Sequence, residues 1–356
     1  MAQRLDKLMK QVPGEVDGVM IRSDLNRRYY TGFPSSAGTI IAAREKRWFI
    51  IDSRYIEAAQ SALTGFEVIL QDKLCEQLAD LLKTNGIKTL WLEGDTTTLA
   101  SYKLFGDMLP GVNIPADSGL SALISQQRAV KSPDEIASIA AAQEIAEKTF
   151  DYILGKLSPG MTEAQIALDM EMYSRKNGSE EAAFSFIIAS GPNSSMPHAV
   201  PGGRKIGEGG FIIFDFGCTV NGYRSDMTRT VAVGGVTAKQ REAYEIVLEA
   251  QLAALDAVKP GAVCKDIDKT ARDIIDASPF RGCFGHGLGH SLGLAIHEEP
   301  RFSKRDETVL APGMVLSVEP GVYLPGGFGV RIEDVVAVTE TGCRNLMKCG
   351  KELVSV

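Results

Sequence analysis

Along residues 1–125, short apolar runs of β type alternate with segments of helical period. The runs at residues 17–21 (DGVMI), 39–43 (TIIAA), 47–52 (RWFIID) and 88–93 (KTLWLE) predict strands, and residues 72–85 predict one of the helices between them. That alternation describes a small α/β domain. The opening MAQRLDKLMKQV has the pattern of a short amphipathic helix. No apolar core segment follows its charges, so it is not expected to be a signal peptide.

Further on, the helical pattern lengthens. A boundary near residues 128–133 divides the chain into expected domains 1–127 and 128–356. Ser132-Pro133-Asp134-Glu135 offers a serine N-cap, a first-turn proline and a glutamate closing a capping box, so a long helix is expected to about Lys156. Ser158-Pro159-Gly160 ends it, and Thr162 with Gln165 opens a second helix that stops at Asn177-Gly178. A similar phrase returns later: a long helical pattern at 238–258, Pro260-Gly261, then a helix from about Lys265 to Ala277. β-type sequence follows each pair, at 182–189 and 210–233, then at 315–318 and 329–338. Helix, Pro-Gly, helix, strands, stated twice, predicts two related halves facing each other. The expected class is α/β (α+β), a small domain followed by a larger one with pseudo-twofold halves.

Composition narrows the function. At 356 residues two domains are the default, and 44% hydrophobic with 23% charged residues is ordinary globular usage. A formal charge of −7 argues against a phosphate-backbone binder, which needs a basic face. No apolar run is long enough to span a bilayer. The six scattered cysteines, without a CxxC pair, are expected to be reduced, mostly buried thiols of a cytoplasmic protein. Cys283 lies near His286, so a Cys/His nucleophile is an alternative to weigh.

The chemistry concentrates in Asp215, Asp226, His290, Glu319 and Glu333. Four carboxylates and one imidazole suit a pair of hard or borderline divalent cations. Asn221-Gly222 is a two-residue hairpin signal that places Val220 opposite Tyr223 and Asp215 opposite Thr228. Alternation then puts Asp215 and Asp226 on one face, as diagonal neighbours. A solvated hairpin face would be the bland alternative, but IIFDFG embeds Asp215 in an apolar run. His286 and His290 have zincin-like spacing, yet the glycines of GHGLGH disfavour a helix and predict extended backbone. Glu319 and Glu333 occupy or end two apolar strands that can pair through Leu324-Pro325-Gly326-Gly327, where they would repel without a cation or proton between them. Arg331 shares Glu333's face and is placed to orient it, and of Glu333-Asp334 only Glu333 is expected in the site.

These blocks resemble the pita-bread metallopeptidases, namely methionine aminopeptidase, aminopeptidase P and prolidase. The likeness runs through Pro197-His198, Asp215-Phe216-Gly217, Ser225-Asp226-Met227-Thr228-Arg229-Thr230, Gly285-His286-Gly287-Leu288-Gly289-His290, His297-Glu298-Glu299-Pro300, Glu319-Pro320-Gly321 and Arg331-Ile332-Glu333-Asp334, in family order over roughly residues 130–350. Asn26-Arg27-Arg28-Tyr29-Tyr30-Thr31-Gly32-Phe33 and Asp52-Ser53-Arg54-Tyr55 resemble the creatinase-type N-terminal domain of the proline-specific members. Creatinase itself lacks the metal quintet.

The resemblance implies a pita-bread catalytic domain with two metal ions, manganese or cobalt and sometimes zinc. Asp226, His290 and Glu319 would hold one ion, Asp215 would chelate the other, and Asp226 and Glu333 would bridge them. His198 and His297 would hold the scissile carbonyl and its tetrahedral intermediate. Glu319 would take the proton of a water between the cations and pass it to the leaving amine. The implied reaction is cleavage of an Xaa-Pro bond, in dipeptides or at peptide N-termini. Phe184 and Tyr223 are expected by position to wall the proline pocket. Arg301 matches an arginine associated with a substrate carboxylate, against a surface arginine as the bland alternative, and Arg331 joins the expected substrate contacts. The expected partners are small peptides with proline second, with no nucleic acid or membrane, and the family commonly forms homodimers. The competing functions are a non-catalytic binding module and a methionine aminopeptidase-like enzyme.

Overall fold

The computed structural model describes residues 2–207 and 209–356. Contacts divide the chain into two compact units, residues 1–128 and 129–356.

In the first unit, five strands form one mixed sheet in the order Glu67–Leu70, Arg47–Ile51, Thr39–Ala43, Gly18–Ile21, Leu90–Leu92. The two inner pairings, of Thr39–Ala43 with Gly18–Ile21 and with Arg47–Ile51, are antiparallel; the two outer ones are parallel. Apolar side chains of the sheet, including Ile41, Trp48 and Ile50, pack with Leu78 and Leu82 of the helix Leu74–Thr84. The helix Asp24–Thr31 ends where Gly32 takes φ 69°, a left-handed conformation that lets its N–H reach the carbonyl of Arg28.

The second unit is built twice over. The helix Pro133–Leu154 starts at a complete Ser132–Glu135 capping box and packs with Glu163–Lys176, which has its own box at Thr162 and Gln165. These helices share a core with a three-stranded sheet ordered Met227–Val233, Gly210–Phe216, Ile187–Ser190. The helix Ala238–Ala257, boxed by Thr237 and Gln240, packs with Cys264–Asp276. That pair shares a core with a five-stranded sheet ordered Glu298–Phe302, Gly289–Ser291, Val315–Val318, Asp334–Val338, Cys343–Asn345. A separate hairpin, Gly321–Leu324 with Phe328–Arg331, leads the chain to Glu333.

The hairpin register places Val220 opposite Tyr223 and Asp215 opposite Thr228. Asn221 carries the turn at φ 52° and Gly222 at φ 79°. One expectation is corrected: of the six free cysteines, Cys218 and Cys264 are buried, while Cys75 in the helix Leu74–Thr84, Cys343 at the start of the strand Cys343–Asn345, and Cys283 and Cys349 in loops are half-buried.

Candidate active site

Both halves of the second unit feed one cavity of about 550 Å3, lined by Asp215, Asp226, His290 and Glu319 among others. Asp215 stands on the central strand of the three-stranded sheet, between partners Thr228 and Ile187. Asp226 directly precedes the neighbouring strand. A Cβ at Gly217 would lie 2.0 Å from the carbonyl oxygen of Ser225, so only glycine lets the two segments approach there. His290 lies on the strand Gly289–Ser291, where a Cβ at Gly289 would lie 2.1 Å from the Ser317 carbonyl oxygen. Glu319 follows the strand Val315–Val318, and its N–H donates to the Leu288 carbonyl at 2.8 Å.

The acids meet closely. Ligand oxygens of Asp215, Asp226 and Glu333 all lie within 4.8 Å of one another. Thr228 ties the halves together: its carbonyl accepts the Glu333 N–H at 3.1 Å, and its Oγ1 donates to Glu333 Oε2 at 2.7 Å. His290 donates from Nδ1 to the Ser291 carbonyl at 3.1 Å, which leaves the Nε2 lone pair facing Glu319 Oε1 at 3.3 Å and Asp226 Oδ2 at 3.6 Å. Burial pushes this imidazole down to about 3, so it is neutral near pH 7. Burial, reinforced by neighbouring carboxylates, raises the Asp226 and Glu333 carboxyls well above the usual range. Burial also carries Glu319 to about 7.

With the site's geometry in view, the comparisons with known proteins decide its family. A model of metallopeptidase family M24 matches residues 137–340, and one of the Creatinase/Prolidase N-terminal domain matches residues 2–130. The chain belongs to metallopeptidase family M24. It is 38% identical over 357 residues to the Xaa-Pro dipeptidase of Pyrococcus furiosus, spanning 99% of this chain and 100% of that one. Its structure is similar to an Xaa-Pro dipeptidase from Bacillus anthracis, with TM-score 0.95 and 36% identity over 100% of this chain and 99% of that one. An X-Pro aminopeptidase from Thermotoga maritima gives TM-score 0.91 and 33% identity over 98% and 100%. A creatinase-type domain followed by a pita-bread metallopeptidase domain is thus the fold of this M24 chain.

M24 enzymes work with divalent metals, and the residues here fit one. Asp226 Oδ1 and Glu333 Oε1 are buried without a hydrogen-bond partner among the described residues. Three carboxylates and an imidazole lone pair converge on the same space, so acceptors face acceptors. A cation resolves that arrangement, whereas a structural role would call for donors.

The other expected M24 site residues divide into two groups. His198, His297, Phe184 and Arg301 line the cavity, and the His297 ring centroid is 4.4 Å from that of His290. Arg301 is exposed, with Nε 3.1 Å from Glu299. Arg331 also borders the cavity, but its guanidinium is engaged inside the protein. It pairs with Asp215 and donates to Tyr323 Oη at 2.6 Å and Thr228 Oγ1 at 3.2 Å. Its donors are thus directed at groups of the protein, Asp215 among them. Tyr223 is a clear correction. It is absent from the cavity wall, because its hydroxyl donates at 2.5 Å to Glu135, the capping-box glutamate of the helix Pro133–Leu154. Asp334 points away from the acids, as expected, to Arg229 and Lys351, both at 2.8 Å. Those cations hold its carboxyl below the usual range against the opposing effect of burial.

The Cys283/His286 alternative fails on geometry. Cys283 does not line the cavity, and His286 donates from Nδ1 to the Gly287 carbonyl while Nε2 accepts from Tyr323 Oη at 3.0 Å. Tyr323 and Ser317, whose hydroxyl donates to Glu319 Oε1 at 3.1 Å, escaped the sequence reading. Their only signal was a polar side chain inside an apolar strand beside a site acid.

Proposed function

We propose that this chain is a dinuclear-metal Xaa-Pro peptidase, acting on dipeptides or peptide N-termini with proline second. One observation carries the proposal: Asp215, Asp226, Glu333, Glu319 and a neutral His290 lone pair converge beside a substrate-sized cavity, in a fold shared with proteins named Xaa-Pro dipeptidase and X-Pro aminopeptidase. Asp226, His290 and Glu319 would hold one ion and Asp215 the other, with Asp226 and Glu333 shared. Manganese or cobalt is the proposed metal, with zinc as the third choice. When bound, such a pair supplies an activated water near neutral pH and polarises the scissile carbonyl.

The protein's own groups supply the rest. Glu319, whose Oε1 faces His290 Nε2 at 3.3 Å on the cavity wall, is positioned to take a proton and return it to the leaving nitrogen. His198 and His297 are available at the cavity wall to donate to the carbonyl oxygen as charge builds on it. A proline nitrogen carries no N–H, so its site needs apolar shape, and Phe184, Phe186 and Ile296 provide it. Arg301 is placed to receive a carboxylate just beyond proline.

The compact units support domains at 1–127 and 128–356. The six free cysteines support a cytoplasmic setting. A homodimer is part of the proposal and is tested by light scattering. The functional test is hydrolysis of Ala-Pro, Ala-Pro-Ala and Met-Ala with Mn2+, Co2+ or Zn2+, alongside elemental analysis. Turnover of the proline peptides with close to two metal ions per chain is expected. Metal-free, inactive protein would leave a binding module, and cleavage of Met-Ala alone would make it a methionine aminopeptidase-like enzyme.

A further inference from the structure

We infer that Lys131 is a positioning residue that sets His290 and His297 relative to each other through the residue that follows each, an inference that rests on the peptidase function proposed above. Lys131 is almost wholly buried. Its Nζ donates to Ser291 Oγ at 2.7 Å and pairs with Glu298 Oε2 at 3.3 Å. Ser291 is the residue after His290, and Glu298 is the residue after His297. The two are register partners across the strands Gly289–Ser291 and Glu298–Phe302, with a bulge between His290 and Ser291. Along the strand Gly289–Ser291 successive side chains point to opposite faces, and Glu298 opens the partner strand directly after His297. One ammonium thus grips the residue next to each histidine, and the two imidazole centroids lie 4.4 Å apart.

The grip is firm at both ends. Lys131 immediately precedes the Ser132 N-cap, and its own N–H donates to the Gly313 carbonyl at 2.9 Å. The loop between the histidines closes on the same carboxylate: Glu298 Oε1 accepts the Ala295 N–H at 3.0 Å. A Cβ at Gly293 would lie 3.0 Å from Glu298 Oε1, so the loop folds tightly over this group.

Physical cost argues against a merely structural role. A lysine beside a helix N-terminus meets the unfavourable end of the dipole, and its full burial carries a further desolvation penalty. Apolar residues of similar volume would hold a fold at least as stably. What they would not supply is a directional link to one hydroxyl and one carboxylate. That link fixes where the two rings sit, and a displacement near 1 Å in such a constellation lowers turnover by about 100-fold.

The test compares wild type with Lys131→Met/Glu298→Leu, which replaces the pair by apolar groups, and with Ser291→Ala, which keeps the pair and removes one acceptor. Three quantities are read: the melting temperature, kcat and KM on Ala-Pro, and the side-chain 1H–15N resonances of His290 and His297 in metal-free protein. For the double variant we expect a near-wild-type melting temperature, kcat at least about tenfold lower with KM within about twofold, and both imidazole resonances displaced. Ser291→Ala, the milder change should the double variant not fold, is expected to lower kcat about threefold with the same resonances moved. Wild-type kcat in either folded variant, or unmoved histidine resonances, would overturn the assignment. The resonances need no substrate, so an inactive wild type would count against the peptidase reading alone.

Discussion

Nε2 of His290 stands 3.3 Å from Oε1 of Glu319 with its proton on the opposite ring nitrogen, bonded to Ser291. Asp226 Oδ1 and Glu333 Oε1 have no donor among the described residues and are buried in the same cluster. Removing the metal should therefore destabilise the protein. Saturation at about 100 times Kd stabilises by about 2.7 kcal/mol, which raises the melting temperature of a domain this size by roughly 5–10 °C. Calorimetry with and without chelator, followed by Mn2+ add-back, checks this. An unchanged transition would mean the acids hold no cation.

Thr228→Val removes the hydroxyl that donates to Glu333 Oε2 and accepts from Arg331. A buried carboxylate oxygen then loses its donor, at a cost of about 1–3 kcal/mol, and metal affinity should fall about 10-fold or more. Isothermal titration of metal-free protein with Mn2+ would measure it. Affinity equal to wild type would show that Glu333 keeps its position unaided.

Arg331→Met leaves Asp215 buried with its cation gone. Breaking such a pair destabilises by about 3–5 kcal/mol. Tyr323→Phe removes one acceptor of the same guanidinium and should cost about 1 kcal/mol. Denaturant unfolding of both variants tests the order. Equal losses would contradict the placement of Arg331 as the orienting group.

Arg301→Ala should raise KM for Ala-Pro about tenfold, the loss of about 1.5 kcal/mol expected for a charged hydrogen bond, and leave kcat within about twofold. The smaller the effect on Ala-Pro-Ala, the more strongly Arg301 marks a dipeptidase. An unaltered KM on both substrates would return Arg301 to the surface.

Tyr223→Phe separates the corrected residue from the cavity. Stability should fall by about 1 kcal/mol through the lost bond to Glu135, with kcat/KM on Ala-Pro unchanged. Selective loss of Ala-Pro turnover without loss of stability would put Tyr223 back at the substrate.

Periodicity and caps are local properties, and they made much of this fold legible. Ser132 with Glu135 and Thr162 with Gln165 each bond within one helical turn, so four adjacent residues suffice to start the helices Pro133–Leu154 and Glu163–Lys176. Asn221-Gly222 sets a register that places Asp215 opposite Thr228, because a two-residue turn admits one pairing of its flanking strands. The acids stood out because charge inside apolar strands needs a partner.

Side-chain destinations across the fold were beyond such local rules. Tyr223 looks like a pocket wall from its place beside Asp226, yet Glu135, 88 positions earlier, claims its hydroxyl. Arg331 turns inward to Asp215, and Lys131 reaches 160 positions along the chain to Ser291. Local bonding preferences bias each segment whatever surrounds it. Which donor meets which acceptor across the core depends on how the two halves pack, and no single segment encodes that.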